Sequence, residues 1–333
     1  TTAMELAAGN LIRQGKPVLV VNTGYFSQRM MEIARRYGAD VHSVDAEPGF
    51  APSPDEIEAA VKEYGPEIIF ATHVDTSTGV RMDPRLVVDA ADGALTVFDG
   101  VCATAAEPFD MAALGADVYL TGSQKALGLP AGLAVAVFSS RAIERRREVD
   151  APPLYLDIES WQPIMDAYRE GRPSYFATPA TNLVLAARVG LREIVETRFD
   201  GTRGMAARSA LHRYAADAMR TAWEALGLDH LAPPELRGVT LCALKVPAGV
   251  ESPVPPAIAR HGVSVAGGLY PGLQKTYFRV GHMGHCVTQL DMLERTVQAV
   301  AMGLNDLGGA ESSPDEAVAV FRERFEDVAC VAP

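Results

Sequence analysis

Asp117-Val118-Tyr119-Leu120-Thr121-Gly122-Ser123-Gln124-Lys125-Ala126 is the stretch that decides the fold. A short apolar run enters a small, polar turn, and the turn presents a single lysine. An amine at the end of a buried strand costs free energy unless it is neutralised, paired or covalently engaged. Upstream, a second apolar run, Leu95-Thr96-Val97-Phe98, delivers Asp99 at its own end. Two readings fit such a pair. One is a structural salt bridge at a sheet edge. The other is a pair that holds pyridoxal phosphate, with the lysine in a Schiff base and the aspartate keeping the pyridine nitrogen protonated.

Outward from this stretch the chain alternates strands and helices. Pro17 to Val21, Asp40 to Val44, Ile68 to Ala71 and Leu133 to Phe138 read as further strands. Between them, Ser27 to Tyr37 and Pro84 to Ala91 read as helices. Ser53-Pro54-Asp55-Glu56 supplies an N-cap serine, a proline at the first helical position and acids in the first turn. Short apolar strands separated by helices predict an α/β fold, a mainly parallel sheet covered on both faces. Ligands of such sheets sit at the carboxyl ends of the strands, where Asp99, Thr76 and Lys125 fall.

Beyond Tyr175 the pattern changes. Helices are expected over 180–196 and 203–226, and strands over 239–246, 263–265 and 275–280. Thr288-Gln289-Leu290-Asp291 predicts a capping box before a helix striped by Leu290, Leu293, Val297, Val300 and Leu304. After Gly308-Gly309, Ser313-Pro314-Asp315-Glu316 opens a last helix, expected to pack on the preceding part. The division is therefore a large domain, 1–178, and a connecting helix with a smaller α+β domain and terminal helix, 179–333.

The 333 residues are 48% hydrophobic and carry a formal net charge of −12. That charge argues against a nucleic-acid surface, which needs clustered cations. No apolar run is long enough to cross a bilayer. The basic cluster Arg141 to Arg147 is interrupted by Glu144 and reads as a solvated helix face. Cys102, Cys242, Cys286 and Cys330 lack metal spacing and read as reduced thiols of a cytoplasmic protein. His282, His285 and Cys286 form no second ligand cluster, so no metal is expected.

Six segments occur in order along residues 1 to about 306. They are Asn22-Thr23-Gly24-Tyr25-Phe26-Ser27-Gln28-Arg29, His73 to Val80, Phe98-Asp99-Gly100-Val101, Thr121 to Leu127, Tyr175-Phe176-Ala177-Thr178-Pro179, and Phe278-Arg279-Val280-Gly281-His282-Met283-Gly284. Together they resemble the class V, fold-type I aminotransferases, especially the alanine–glyoxylate and serine–glyoxylate group. The resemblance implies that Lys125 is the Schiff-base lysine and proton shuttle and that Asp99 is the partner of the ring nitrogen. It implies Phe26 stacked on the cofactor, Thr76 on its phenolic oxygen and Gln124 on cofactor oxygens. The phosphate would rest on Thr1 and Thr2 at the first helix N-terminus. Tyr175 and Thr178 would reach it from a second subunit, making a homodimer with shared sites. Arg279 would grip the substrate carboxylate with its planar fork. Relatives carry an N-terminal arm and a Ser/Gly-rich phosphate turn before this point, so the chain is expected to lack both.

The expected reaction moves an amino group from alanine or serine to glyoxylate or pyruvate by ping-pong kinetics. 2-Aminoethylphosphonate– and pyridoxamine–pyruvate aminotransferases share the lysine, aspartate and arginine. A lyase of cysteine desulfurase type would need a cysteine on a mobile loop, and Cys286 does not lie in a Gly/Ser-rich one. A non-catalytic module of the same fold is the remaining alternative.

Overall fold

The computed structural model describes residues 1–325. Cys330 lies outside the described residues. In the first part, strands β1 (Pro17–Asn22), β2 (Asp40–Asp45), β3 (Ile68–Thr72), β4 (Leu95–Asp99), β5 (Val118–Gly122) and β6 (Ala134–Phe138) form one sheet. Its order is β2-β1-β3-β4-β5-β6; all neighbours are parallel except β6, which runs antiparallel at the edge. Helices α1 (Thr2–Leu11), α2 (Tyr25–Arg36), α3 (Pro54–Tyr64), α4 (Pro84–Asp89), α5 (Met111–Leu114) and α6 (Ser140–Arg146) connect the strands.

Alternation along each strand sorts side chains between two cores. Val18, Val20, Phe70, Val97 and Leu120 pack with α1, α2 and α6 on one face. Leu19, Val21, Ile69, Ala71 and Phe98 pack with α3 and α4 on the other. This is the α/β fold expected from the sequence. The Ser53–Glu56 capping box forms with both reciprocal bonds.

The chain continues through α7 (Ile158–Arg169), α8 (Thr181–Glu196), a hairpin of β7 (Arg198–Phe199) and β8 (Thr202–Arg203), and α9 (Met205–Ala225). A three-stranded antiparallel sheet follows, made of β9 (Leu241–Lys245), β10 (Ala266–Gly267) and β11 (Tyr277–Gly281) in the order β10-β11-β9. Helices α10 (Val254–Ala259), α11 (Leu290–Asn305) and α12 (Pro314–Phe325) pack with α9 on this sheet. Leu293, Val297, Val300 and Leu304 are buried as their stripe predicts, and Phe321 and Phe325 of α12 join the same core. Among the described residues no helix is long and apolar enough to cross a membrane.

Three local expectations fail in whole or in part. Residues 263–265 are not a strand; pairing begins at Ala266, where the backbone meets Arg279 of β11. Thr288 caps nothing, because its hydroxyl donates to His285 O, and Gln289 takes the N-cap position without a side-chain bond. The basic cluster is a solvated face only in part, at Arg141, Glu144 and Arg147. Arg141 bonds buried Asp117, Arg145 pairs with Glu67 at 3.0 Å, and buried Arg146 pairs with Asp157 at 2.9 Å. A guanidinium fork satisfies carboxylates and carbonyls at once, so these arginines fasten α6 to the sheet and to the α7 entry.

Candidate active site

The parallel order sets Asp99 and the turn that follows β5 side by side at the carboxyl edge of the sheet. Gly100 N–H donates to Leu120 O at 2.8 Å, and Val101 N–H donates to Asp99 Oδ1 at 2.9 Å. Asp99 has no other side-chain bond among the described residues. Withdrawal from water pushes its pKa up to about 6, with the neighbouring Asp75 charge adding to the rise. Lys125 is half-buried three residues beyond β5. It makes no ion pair with Asp99 among the described residues, so the salt-bridge reading of the two groups fails.

Asp75 is a residue that sequence reasoning missed. It is fully buried and accepts from Phe26 N, Ser27 N and Ser77 N at 3.2, 3.4 and 2.9 Å, and from Ser77 Oγ at 2.6 Å. Its carboxylate thus serves the open N-terminus of α2, where the backbone dipoles favour negative charge. The junction is tight enough to require Gly24, whose added Cβ would lie 2.4 Å from Ser77 Oγ and 2.6 Å from Asp75 Cγ. The Asp-Thr-Ser-Thr-Gly run was legible as a turn; that it caps a helix about fifty residues earlier was not.

Phe26 sits in the first turn of α2, half-exposed and edge-on to Tyr25. The Arg29 guanidinium lies over both rings, 5.0 Å from the Tyr25 centroid and 5.1 Å from that of Phe26, and donates to Thr1 Oγ1 at 3.3 Å. Thr1 is the N-cap of α1 and makes no side-chain cap bond; Thr1 and Thr2 are both exposed. Thr76 is buried, and Cys102 lies beside it with its thiol pushed up by burial.

Arg279 occupies the middle of β11. Its Nε donates to Gly267 O and its Nη1 to Thr76 O, both at 2.9 Å, which brings it to the same turn as Thr76. Nη2 has no partner among the described residues. Burial lowers its pKa, and the guanidinium remains the charged form. Tyr277, also missed from the sequence, fixes this corner. Its hydroxyl donates to Ser77 O at 2.6 Å and accepts from Leu269 N and Tyr270 N.

The structure does not bring every expected residue to this place. Gln124 is exposed. Tyr175 is 74% exposed, and among the described residues its hydroxyl meets only Thr178 Oγ1, at 3.3 Å. His282 is buried with Nε2 3.4 Å from Cys242 Sγ, His285 pairs with Glu193, and Cys286 donates to Met283 O. These bonds point the three side chains to different partners. Burial pushes the Cys286 thiol up to about 11, and it lies in a short 3-10 turn, which is not the reactive, mobile cysteine that a desulfurase needs.

Residues 1–252 match the family described as aminotransferase class-V. The chain is 33% identical over 304 residues to alanine–glyoxylate aminotransferase 1 of Saccharomyces cerevisiae, covering 85% of this chain and 76% of that protein. It is 31% identical to serine–glyoxylate aminotransferase of Methylorubrum extorquens, covering 96% and 79%. The crystal structure of alanine–glyoxylate aminotransferase from Nostoc sp. superposes with a TM-score of 0.81 at 30% identity, covering 91% and 78%. With a carboxylate at the end of one strand and, just beyond its parallel neighbour, an amine unpaired among the described residues, the chain belongs to the class V aminotransferases, enzymes dependent on pyridoxal phosphate.

Proposed function

We propose that this aminotransferase moves an amino group from alanine or serine to a 2-oxo acid, glyoxylate or pyruvate. The observation that carries the reading is the convergence of Asp99, Thr76 and Arg279 on the carboxyl edge beside the Lys125 turn. In this reading residues 1–178 hold the cofactor and 179–333 bring Arg279 to it.

The donor set suits the cofactor. Asp99 is a carboxylate whose burial outweighs the weak opposing fields of the N-terminal amine and Arg29, and a protonated ring nitrogen would supply a direct cationic partner. The N–H groups opening α1, with the Thr1 and Thr2 hydroxyls, suit a phosphate. Pyridoxal phosphate, when bound, supplies an electron sink and carries the amino group between two half-reactions, which makes the kinetics ping-pong. Lys125 Nζ is the amine that would hold the cofactor at its aldehyde and would serve as the base for the substrate proton. Asp99 would hold charge against the ring nitrogen, Phe26 would lie against the ring face and Thr76 would donate to a ring oxygen, while the exposed Gln124 would have to turn inward to do the same. Arg279 has two N–H groups anchored on carbonyls and Nη2 directed to the carboxylate shared by donor and acceptor.

Tyr175 and Thr178 serve the phosphate of a partner subunit in a homodimer. Support comes from exposed apolar side chains between residues 135 and 189. Val135, Val137, Leu154, Val184 and Val189 are all exposed, Leu154 and Val189 by 69% and 70%. A monomer seldom leaves so many large apolar side chains in water along one stretch of chain.

Borohydride reduction followed by peptide mapping tests the assignment of the amine. The label is expected on Lys125; a label on another lysine overturns it. Half-reaction titrations with alanine, serine, 2-aminoethylphosphonate and pyridoxamine decide the donor. A response only to a donor without a carboxylate overturns the proposed substrates.

A further inference from the structure

The segment after Arg279 touches the turn that carries Lys125. Gly284 has φ of +75°, and a Cβ there would lie 2.7 Å from Gly128 Cα and 3.0 Å from Lys125 O. Gly128, at φ +69°, would place its own Cβ 2.7 Å from His285 N. The two backbones are therefore in direct contact, and Lys125 O is already engaged by Gly128 N–H at 2.9 Å. Whatever fixes Gly284 fixes the Lys125 turn.

Two buried side chains of α9 do so. His212 Nε2 accepts from Gly284 N at 3.0 Å, while its Nδ1 donates to Arg208 O at 2.8 Å. These partners require a neutral ring with the proton on Nδ1, and burial keeps the ring neutral by pushing its pKa down to about 3. Arg208 Nη2 donates to Gly284 O at 2.7 Å, so both backbone polar groups of one residue are taken by adjacent turns of one helix. Between them Ser209 Oγ donates to Ala106 O at 2.7 Å, on the segment that follows Asp99. One helix thus grips the segments downstream of both Asp99 and Arg279, and the second of these supports Lys125. None of the three is an expected site residue, because nothing local in Ala-Arg-Ser-Ala-Leu-His distinguishes such contacts from an ordinary helix face.

We infer that His212 and Arg208 are positioning residues, which act through Gly284 to hold the Lys125 turn in register with Asp99 and Arg279. The inference rests on Lys125 being the cofactor lysine. Their contribution is to orientation rather than affinity for substrate: a lysine amine displaced by a fraction of an ångström loses rate while the substrate handle is untouched.

The test uses the full chain loaded with pyridoxal phosphate. His212→Phe keeps the ring volume and leaves Gly284 N–H without its acceptor. It is expected to lower kcat about 10-fold with KM within about twofold, and to weaken the visible circular dichroism of the bound cofactor by about half. His212→Gln, which restores an acceptor near Nε2, should recover both to within about threefold. Trp223→Phe, in the α9 core away from the site, is the matched control. It should lower the melting temperature and leave the dichroism and kcat unchanged. Should His212→Phe not accumulate as folded protein, Arg208→Lys, which loses the bond to Gly284 O, carries the same expectation. Parental dichroism and kcat in the positioning variants, or equal losses in Trp223→Phe, overturn the inference. Borohydride labelling of the parent is scored separately: a label elsewhere sinks the Lys125 assignment, whereas a label on Lys125 with unmoved dichroism sinks only the positioning role.

Discussion

Asp99→Asn should stabilise the cofactor-free protein while disabling the enzyme. The Asp99 carboxyl is displaced from an ordinary 3.8 to about 6, chiefly by burial. At 1.36 kcal/mol for each tenfold in proton affinity, the ionised group costs the cofactor-free fold about 3 kcal/mol. The sign follows from where each state holds its proton. Above pH 6 the folded and unfolded carboxyls are both ionised and the whole cost is present. Between pH 6 and about 4 the folded protein retains a proton that the unfolded chain has released, so the cost shrinks, and below 3.8 it is gone. Asparagine is neutral throughout and keeps the acceptor for Val101 N–H. Urea unfolding of the cofactor-free parent and variant should therefore agree near pH 4 and diverge by about 2 to 3 kcal/mol at pH 8, the variant being the more stable. Added cofactor should reverse the order, because only the carboxylate gains a cation opposite it, and turnover of the variant should fall steeply. A difference that is flat with pH, or a parent more stable than the variant at pH 8 without cofactor, would refute this account of Asp99.

Arg279→Ala should reduce kcat/KM by about 30- to 1000-fold, the equivalent of a charge-assisted contact of about 2 to 4 kcal/mol, with the cofactor absorbance unchanged. Arg279→Lys should recover only part of this, since an ammonium cannot reach Gly267 O, Thr76 O and a carboxylate together; parental kinetics with the best amino acid would remove the carboxylate role. Val189→Asp, at an exposed apolar position of α8, should shift the protein towards monomer in light-scattering chromatography and weaken cofactor retention, whereas an unchanged mass would place the dimer contact elsewhere.

Much of the architecture is local and was therefore readable in advance. A period of two in Val18 to Val21 and Ile68 to Ala71 sends alternate side chains to two helical layers, and no tertiary detail is needed to see it. Ser53 with Glu56, and Ser313 with Glu316, close capping boxes within one helical turn, so their partners were always at hand. Asp99 and Lys125 were visible for the same reason: each is a polar residue placed where an apolar strand must stop. Thr288 shows the limit of local signals. Its hydroxyl had a choice, and the turn that sets Gly284 against Gly128 offered His285 O first.

What tertiary structure alone decided are the contacts between groups far apart in the chain. Asp75 meets the α2 N-terminus, Tyr277 meets Ser77 O, Arg279 meets Thr76 O, and His212 meets Gly284 N. Each buries a polar group that must find a partner, and which partner it finds depends on how two sheets and α9 come together. Composition and spacing carry no record of that docking. Residue type says what chemistry a side chain can perform, whereas its neighbours, set by packing at long range, determine which of those possibilities is used.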